Sequence, residues 1–515
     1  MYFQHTRCTY GEGVLVETSC YRLLFLSALV LPATTACDSG GDIFALVKVP
    51  VRLRAVSFIP NPLMVTAAVA HVECSGSIAA LQISYTALGV DSASTPRLPV
   101  SSCPSDISVL GLVASTSYNT RIVAWGRGGD SASVSGPALV TDSLPSSLPQ
   151  VTTEALGNAP AGLTAFTVLR IGSTAGNALI VDSIGRVRWY VTDSNRFMVD
   201  LQPQPNGRLA LALGVPDSLS PNPSTPYFDY EYDELDIPGN LLRRWLTATY
   251  STDPHDFRLT SQRTGVLLGL DYRTMDLSAY GGSSTAQVAG NVLQEVDTAG
   301  QVLFQWNAFD HFSITDVDPS ISLTSSFVDW THGNAIEIDQ DGNYLVSFRH
   351  FSEITKIHSR TGQVVWRLGG LRNEFQFIGD SLMFSFQHGI RRLANGNYIL
   401  FDNGNTHNPP FSRAVEYSLD QSAKTATLVW SYRPNPDIFS FALGFAQRLA
   451  DGNTLTTFGV LGTVHEVTPL GQLAWKLTLP PGDWIYRAYR IRSLYEPFLV
   501  DESPTPTARA RVRDR

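Results

Sequence analysis

Three histidines and one arginine occupy positions that suit group-transfer chemistry. His255 lies ten residues before Gly265, His332 ten before Gly342 and His388 eight before Gly396, and each glycine marks a turn ahead of an apolar run. The chain has 10 histidines in 515 residues, so three in one repeated slot form a pattern. Arg349, in Ser347-Phe348-Arg349, follows His332 across the same turn, and period-2 alternation returns its side chain to the same end of the hairpin. With reference pKa values of about 6.5, one imidazole can attack as a neutral nucleophile while a neighbour keeps a proton. Joined to a guanidinium, the three make an anion site with a nucleophile and an acid. Zinc is the competing occupant, with Asp256 and Asp402 as carboxylates beside the histidines; a fixed guanidinium next to a divalent ion argues against it. The preferred reading needs no metal and no cofactor. His350, His358, His407 and His465 fall outside the slot and are expected on the surface or in loops.

The elements that must position these residues are strands. Tryptophans at 189, 245, 306, 366, 430 and 475 recur every 45 to 64 residues, most of them shortly after a turn glycine such as Gly185, Gly239, Gly300, Gly362 or Gly471. Within each unit a second turn precedes an apolar strand, as in Asp341-Gly342-Asn343, Asn395-Gly396-Asn397 and Asp451-Gly452-Asn453. Each unit reads as four antiparallel strands, the last ending in tryptophan. Six such units predict an all-β, six-bladed β-propeller over residues 150–497, with first strands lining a central channel where equivalent positions converge. The tryptophans then pack between blades and need no chemical role.

Residues 48–147 alternate apolar and polar positions in short runs such as Ala80 to Tyr85 and Thr120 to Trp125, as a small β-sandwich does. Leu110-Gly111-Leu112 with Thr116, Tyr118 and Val123 resembles the later half of a fibronectin type III module. The stretch Leu144 to Pro149 reads as a linker. Arg22, the apolar run Leu23 to Leu31, and small residues from Ala33 to Ala36 ahead of Cys37 make residues 1–40 a targeting segment, with Cys37 the candidate lipidation site and membrane anchor. The chain is therefore expected to be exported, periplasmic or at the cell surface. Cys74 and Cys103 are the pair left beyond that segment, and an exported chain pairs them in a disulfide. Residues 502–515, with four arginines among Pro and Thr, read as a disordered tail. A net charge of -9, spread along the chain, leaves a nucleic-acid partner no basic footprint and favours a small-molecule substrate.

The motifs Asp329-Trp330-Thr331-His332-Gly333-Asn334-Ala335, Asp341 to Arg349, Gln387-His388-Gly389, Asn395 to Asn405 and Arg413-Ala414-Val415-Glu416-Tyr417 resemble the arylsulfotransferase family of bacterial exported enzymes. The resemblance covers about residues 150–497 and is densest from 328 to 435. It implies sulfuryl transfer from an aryl sulfate to a phenol by a ping-pong route, without a nucleotide sulfate donor. By that likeness His388 is the transiently sulfated histidine, His332, Asn334 and Arg349 hold the sulfuryl oxygens and assist the leaving phenolate, and His255 is a further active-site histidine. A catalytically silent propeller that binds a ligand or partner, and a metal-dependent hydrolase on the same scaffold, are the alternatives.

Overall fold

A computed structural model describes residues 49–157, 160–170, 172–214 and 229–495. The targeting segment 1–40, Cys37 and the tail 502–515 lie outside them. The chain is all-β, 52% strand and 3% helical, and the described residues belong to one compact unit. Among the described residues no helix is long and apolar enough to cross a membrane.

The N-terminal part consists of two small sheets. Ala67–Ser75 pairs with Arg52–Pro60 and Ser105–Leu110, while Ile78–Ala87 pairs with Ser117–Gly126 at the centre of the second sheet. Strict alternation turns Tyr118, Thr120, Ile122 and Ala124 inward, where they meet Val72, Ile83 and Val109 in a shared core. Cys74 and Cys103 form a disulfide across a separation of 29 residues. Ala67 and Leu110 pack into the same core as Trp189, and Arg188 pairs with Asp91 at 2.8 Å.

From residue 163 onward six sheets follow, each built on four antiparallel strands, and four of them carry a fifth strand, which is parallel for Phe327–Asp329 and Gln376–Ile378. The second runs Met198–Pro203, Leu209–Gly214, Tyr230–Leu235, Leu241–Trp245; the third begins with Ser251–Leu259, the fourth with Gly333–Ile338, the fifth with His388–Arg392 and the sixth with Phe445–Arg448. Each of the six repeated tryptophans falls on the fourth strand of its sheet, and five of them are buried, their area removed from water between neighbouring sheets. The first sheet departs from the repeat. Its innermost strand is the distant Ala488–Ile491, which pairs antiparallel with Leu163–Arg170, so the two ends of the run of sheets are joined by hydrogen bonds. Thr152–Ala155 likewise adds a fifth strand outside Leu473–Thr478 of the sixth sheet.

The first strands approach one another through a buried ionic layer. Arg487 bridges Asp256 (3.0 Å) of the third sheet and Asp200 (3.3 Å) of the second, and donates to the carbonyl of Asn334 (2.6 Å) in the fourth. Arg391 of the fifth sheet reaches the other oxygen of Asp256 at 3.1 Å. Four sheets and the segment before Ala488–Ile491 therefore share one polar network, in which each of these buried ions has a counter-ion.

Candidate active site

The site lies at one end of these strands and begins with local turns. His332 precedes strand Gly333–Ile338 and has φ +47°, the left-handed region that costs a non-glycine residue about 1 kcal/mol or more. Three contacts hold it there: Asp329 Oδ2 lies 2.5 Å from His332 Nδ1, Thr331 Oγ1 donates to Asn291 Oδ1 at 2.7 Å, and the Gly333 N–H donates to that same amide oxygen. Arg349 starts a single 3-10 turn after strand Tyr344–Phe348, and its N–H donates to the His332 carbonyl at 3.0 Å, tying the two residues across the hairpin. His388 opens the first strand of the fifth sheet. Gly389, at φ +68°, lets that strand turn where an added Cβ would lie 2.6 Å from the Phe445 ring.

The side chains then meet. The His255 ring packs edge-on against His332 with centroids 4.8 Å apart, and against Tyr486 at 5.8 Å; His388 meets the other side of Tyr486 at 6.5 Å. Tyr486 is fully buried, and its hydroxyl donates to the carbonyls of His255 and Asn334. The Arg349 guanidinium donates to His350 Nε2 (2.9 Å) and to the Phe441 carbonyl (2.9 Å), and lies over the Phe386 ring at 4.8 Å. Asn334 is buried beneath the cluster, its amide donating to the Gln387 carbonyl at 2.8 Å, directly before His388.

Environment separates the three imidazoles electrically. Burial opposes a proton on His255, but the charge and hydrogen bond of Asp253, 2.7 Å from Nδ1, hold the ring above its ordinary value. At His332 burial outweighs Asp329, and the ring sits below it. At His388 burial and then the Arg349 charge hold the ring well below the ordinary value, with the Asn403 bond only partly opposing. The Arg349 guanidinium is lowered by burial to about 10 and stays charged at neutral pH. An imidazole of lowered proton affinity, one of raised affinity and a guanidinium thus interact electrostatically in one cluster, a set suited to nucleophilic attack on an anionic ester.

His350 and His465 were expected on the surface or in loops, and the structure corrects both. His350, 9% exposed, stacks on His332 at 4.5 Å and donates Nδ1–H to the Asp329 carbonyl; burial and its charged neighbours hold it down at about 3. It is a neutral acceptor that aims Arg349. His465 lies buried in strand Thr463–Val467, bonded to the Tyr432 hydroxyl and packed on Phe458. His407 is in a loop, as expected, yet buried against Phe411. Among the described residues the one constellation with metal-ligand spacing is Asp329, His332 and His350, rather than the three slot histidines. Three of its four ring nitrogens are engaged: His332 Nδ1 with Asp329, His350 Nδ1 with a carbonyl, and His350 Nε2 with Arg349. The carboxylates considered for zinc are neutralised elsewhere, Asp256 by Arg391 and Arg487, and Asp402 by Arg413. The donor set fits an anion better than a cation.

Spacing did not reveal Asp253, Asp329, Tyr486 or Asn403. The carboxylates stand two and three residues before their histidines, a local signal that was available; Tyr486 comes from the last strands of the chain, which carry no histidine slot. A separate cleft of about 1340 Å³, lined by Asp339, Lys356, Arg392 and Tyr398, holds none of the slot histidines and none of the residues bonded to them.

The arylsulfotransferase (ASST) family model matches residues 157–475, more than half of the chain. The chain belongs to the arylsulfotransferase family. This supports aryl sulfotransferase activity in general, with aryl sulfates and phenols as the substrate class. No curated protein matches its sequence. Solved structures similar to it include a protein of unknown function from Bacteroides caccae (14% identity, 63% of this chain and 98% of that one, TM-score 0.38) and a virginiamycin B lyase from Staphylococcus aureus bound to quinupristin (8%, 64% and 88%, 0.32). At these scores neither bears on activity.

Proposed function

We propose that this arylsulfotransferase moves a sulfuryl group from an aryl sulfate ester to a phenol through a sulfohistidine on His388, with no nucleotide donor. What supports the reading is the electrical split in the cluster: burial and Arg349 lower the proton affinity of His388, while Asp253, 2.7 Å from His255, raises that of His255 against its burial. The His388 Nε2 lone pair forms the N–S bond as the S–O bond to the aryl oxygen breaks, its electron pair leaving on the phenolate. Arg349 faces the charge on the sulfuryl oxygens, and His255 returns a proton to the leaving oxygen. In the second half-reaction an acceptor phenol gives its proton to His255, its oxygen bonds sulfur, and the N–S electrons return to His388. Phe441, whose carbonyl accepts from the Arg349 guanidinium, has a ring that is 46% exposed and perpendicular to Trp484 at 6.1 Å, and offers the aryl group a surface.

In the same reading the six sheets are the blades of a six-bladed propeller closed by Ala488–Ile491, with a fibronectin III-like sandwich over residues 48–147 packed against it. The protein is exported, and Cys37 is its candidate lipid anchor. Rapid mixing with p-nitrophenyl sulfate is expected to give a nitrophenol burst of one equivalent, followed by acceptor-dependent turnover, and an acid-labile +80 Da adduct on the His388 peptide (the mass of SO3 on a nucleophilic nitrogen). His388→Asn is expected to abolish both while the far-UV spectrum is unchanged. Near-normal turnover in that variant rejects His388 as nucleophile, and activity lost to a chelator supports the metal-dependent alternative.

A further inference from the structure

We propose that Asn403 is a positioning residue that locks His388 in the Nδ1–H tautomer, and that the loop Ser440 to Leu443, by clamping both Asn403 and Arg349, sets nucleophile and anion holder as one unit. The inference rests on the reading of His388 as nucleophile.

The two ends of a carboxamide look alike, but here their partners distinguish them. One terminal atom of Asn403 lies 2.7 Å from the Ser440 carbonyl and 2.9 Å from the Leu443 carbonyl. Carbonyls only accept, so that atom is the NH2 group, with both of its protons used. The other end is therefore Oδ1, and it lies 2.7 Å from His388 Nδ1. An amide oxygen also only accepts, so Nδ1 must carry the hydrogen. In a neutral ring the lone pair is then on Nε2, since the hydrogen bond that His388 makes to Asn403 uses Nδ1.

The clamp is itself held. The Ser440 N–H donates to Ser412 Oγ at 2.9 Å, Ser412 Oγ donates to the Asn403 carbonyl at 2.8 Å, and Leu443 sits at φ +60°. The intervening Phe441 carbonyl accepts from Arg349 and, at 3.0 Å, from Asn405. Three of four successive residues thus turn their carbonyls to donors in the site.

The chemistry favours an amide over a carboxylate here. Sulfated on Nε2, the ring keeps Nδ1–H and becomes cationic, which makes it a good leaving group when the phenol attacks. A carboxylate would draw that proton off, leaving a neutral sulfoimidazole whose N–S bond breaks more slowly. A carboxylate would also hold free His388 protonated to higher pH.

Three measurements on the full chain test this. Nitrogen-15 histidine spectra of the free protein are expected to show Nδ1–H at His388 in the wild type and a mixed or Nε2–H population in Asn403→Ala, whose kcat falls 10- to 100-fold with KM changed less than about threefold. Asn403→Asp is expected to keep the nitrophenol burst, to lose roughly 10- to 100-fold in the turnover after it, and to move the acid limb of its rate profile to higher pH. An Nε2–H wild type, or variants with unaltered tautomer, pH profile and turnover, overturns the proposal. The spectra need no substrate, so a wild type without any burst rejects the sulfotransfer reading while the tautomer still decides the role of Asn403. If Asn403→Asp fails to fold, the wild-type tautomer decides alone.

Discussion

His255, His332 and His388 are the same residue type in equivalent places, each with its own partner: Asp253, Asp329 and Asn403. Burial, these partners and the nearby Arg349 charge together shift the three proton affinities differently, which sets the expected pH dependence. The rate needs His388 neutral, so it falls as pH drops through a value held well below 6.5; it needs His255 protonated, so it falls again as pH rises through a value above 6.5. A bell with its plateau spanning the ordinary imidazole value is expected in kcat against pH, and a single rising limb counts against His255 as the acid. Arg349→Ala is expected to lower kcat by about 10² to 10³. Arg349→Lys should recover little of it, because an ammonium cannot reach His350 Nε2 and the Phe441 carbonyl from one planar group. At this scale the histidines and Arg349 were legible, since a repeat makes equivalent positions countable. His350 was misplaced because its position matches no slot; it reaches the cluster only through the 3-10 turn that follows Phe348.

Strand order was largely legible too, because hairpin turns and the recurring tryptophan mark where each sheet begins and ends. The closing strand Ala488–Ile491 was not, since its partner Leu163–Arg170 lies more than three hundred residues away and no local pattern encodes such a pairing. Glycines at strand entries do local work that sequence shows only as a motif. At Gly389 a side chain meets both a positive φ and the Phe445 ring at 2.6 Å. Gly389→Ala is expected to destabilise the protein by about 1–3 kcal/mol and to lower kcat further by displacing His388, measured by urea denaturation alongside turnover. Unaltered stability in that variant indicates that Phe445 yields at no cost and that the motif has another cause.

Across the whole molecule the site stands on the ionic layer centred on Arg487 and Asp256. Arg487 has no exposure, and removing it leaves two buried carboxylates short of a counter-ion. Arg487→Leu is expected to cost about 3–5 kcal/mol, read as a lower urea midpoint, and a variant of wild-type stability shows that Arg391 alone neutralises the layer. The same layer joins the second, third, fourth and fifth sheets to the C-terminal strands, so loosening it moves the histidines relative to one another.

The amino-acid sequence by itself determined the all-β class, the recurring tryptophan units, the Cys74 and Cys103 pairing and the three histidines that recur in one slot, because each is written in local periodicity or in residue type. Tertiary structure alone decided which imidazole keeps a proton, how Asn403 and His350 serve their neighbours, and which strand completes the first sheet. Those outcomes depend on burial and on contacts between distant segments, and both come into being only when the sheets pack around their common charges.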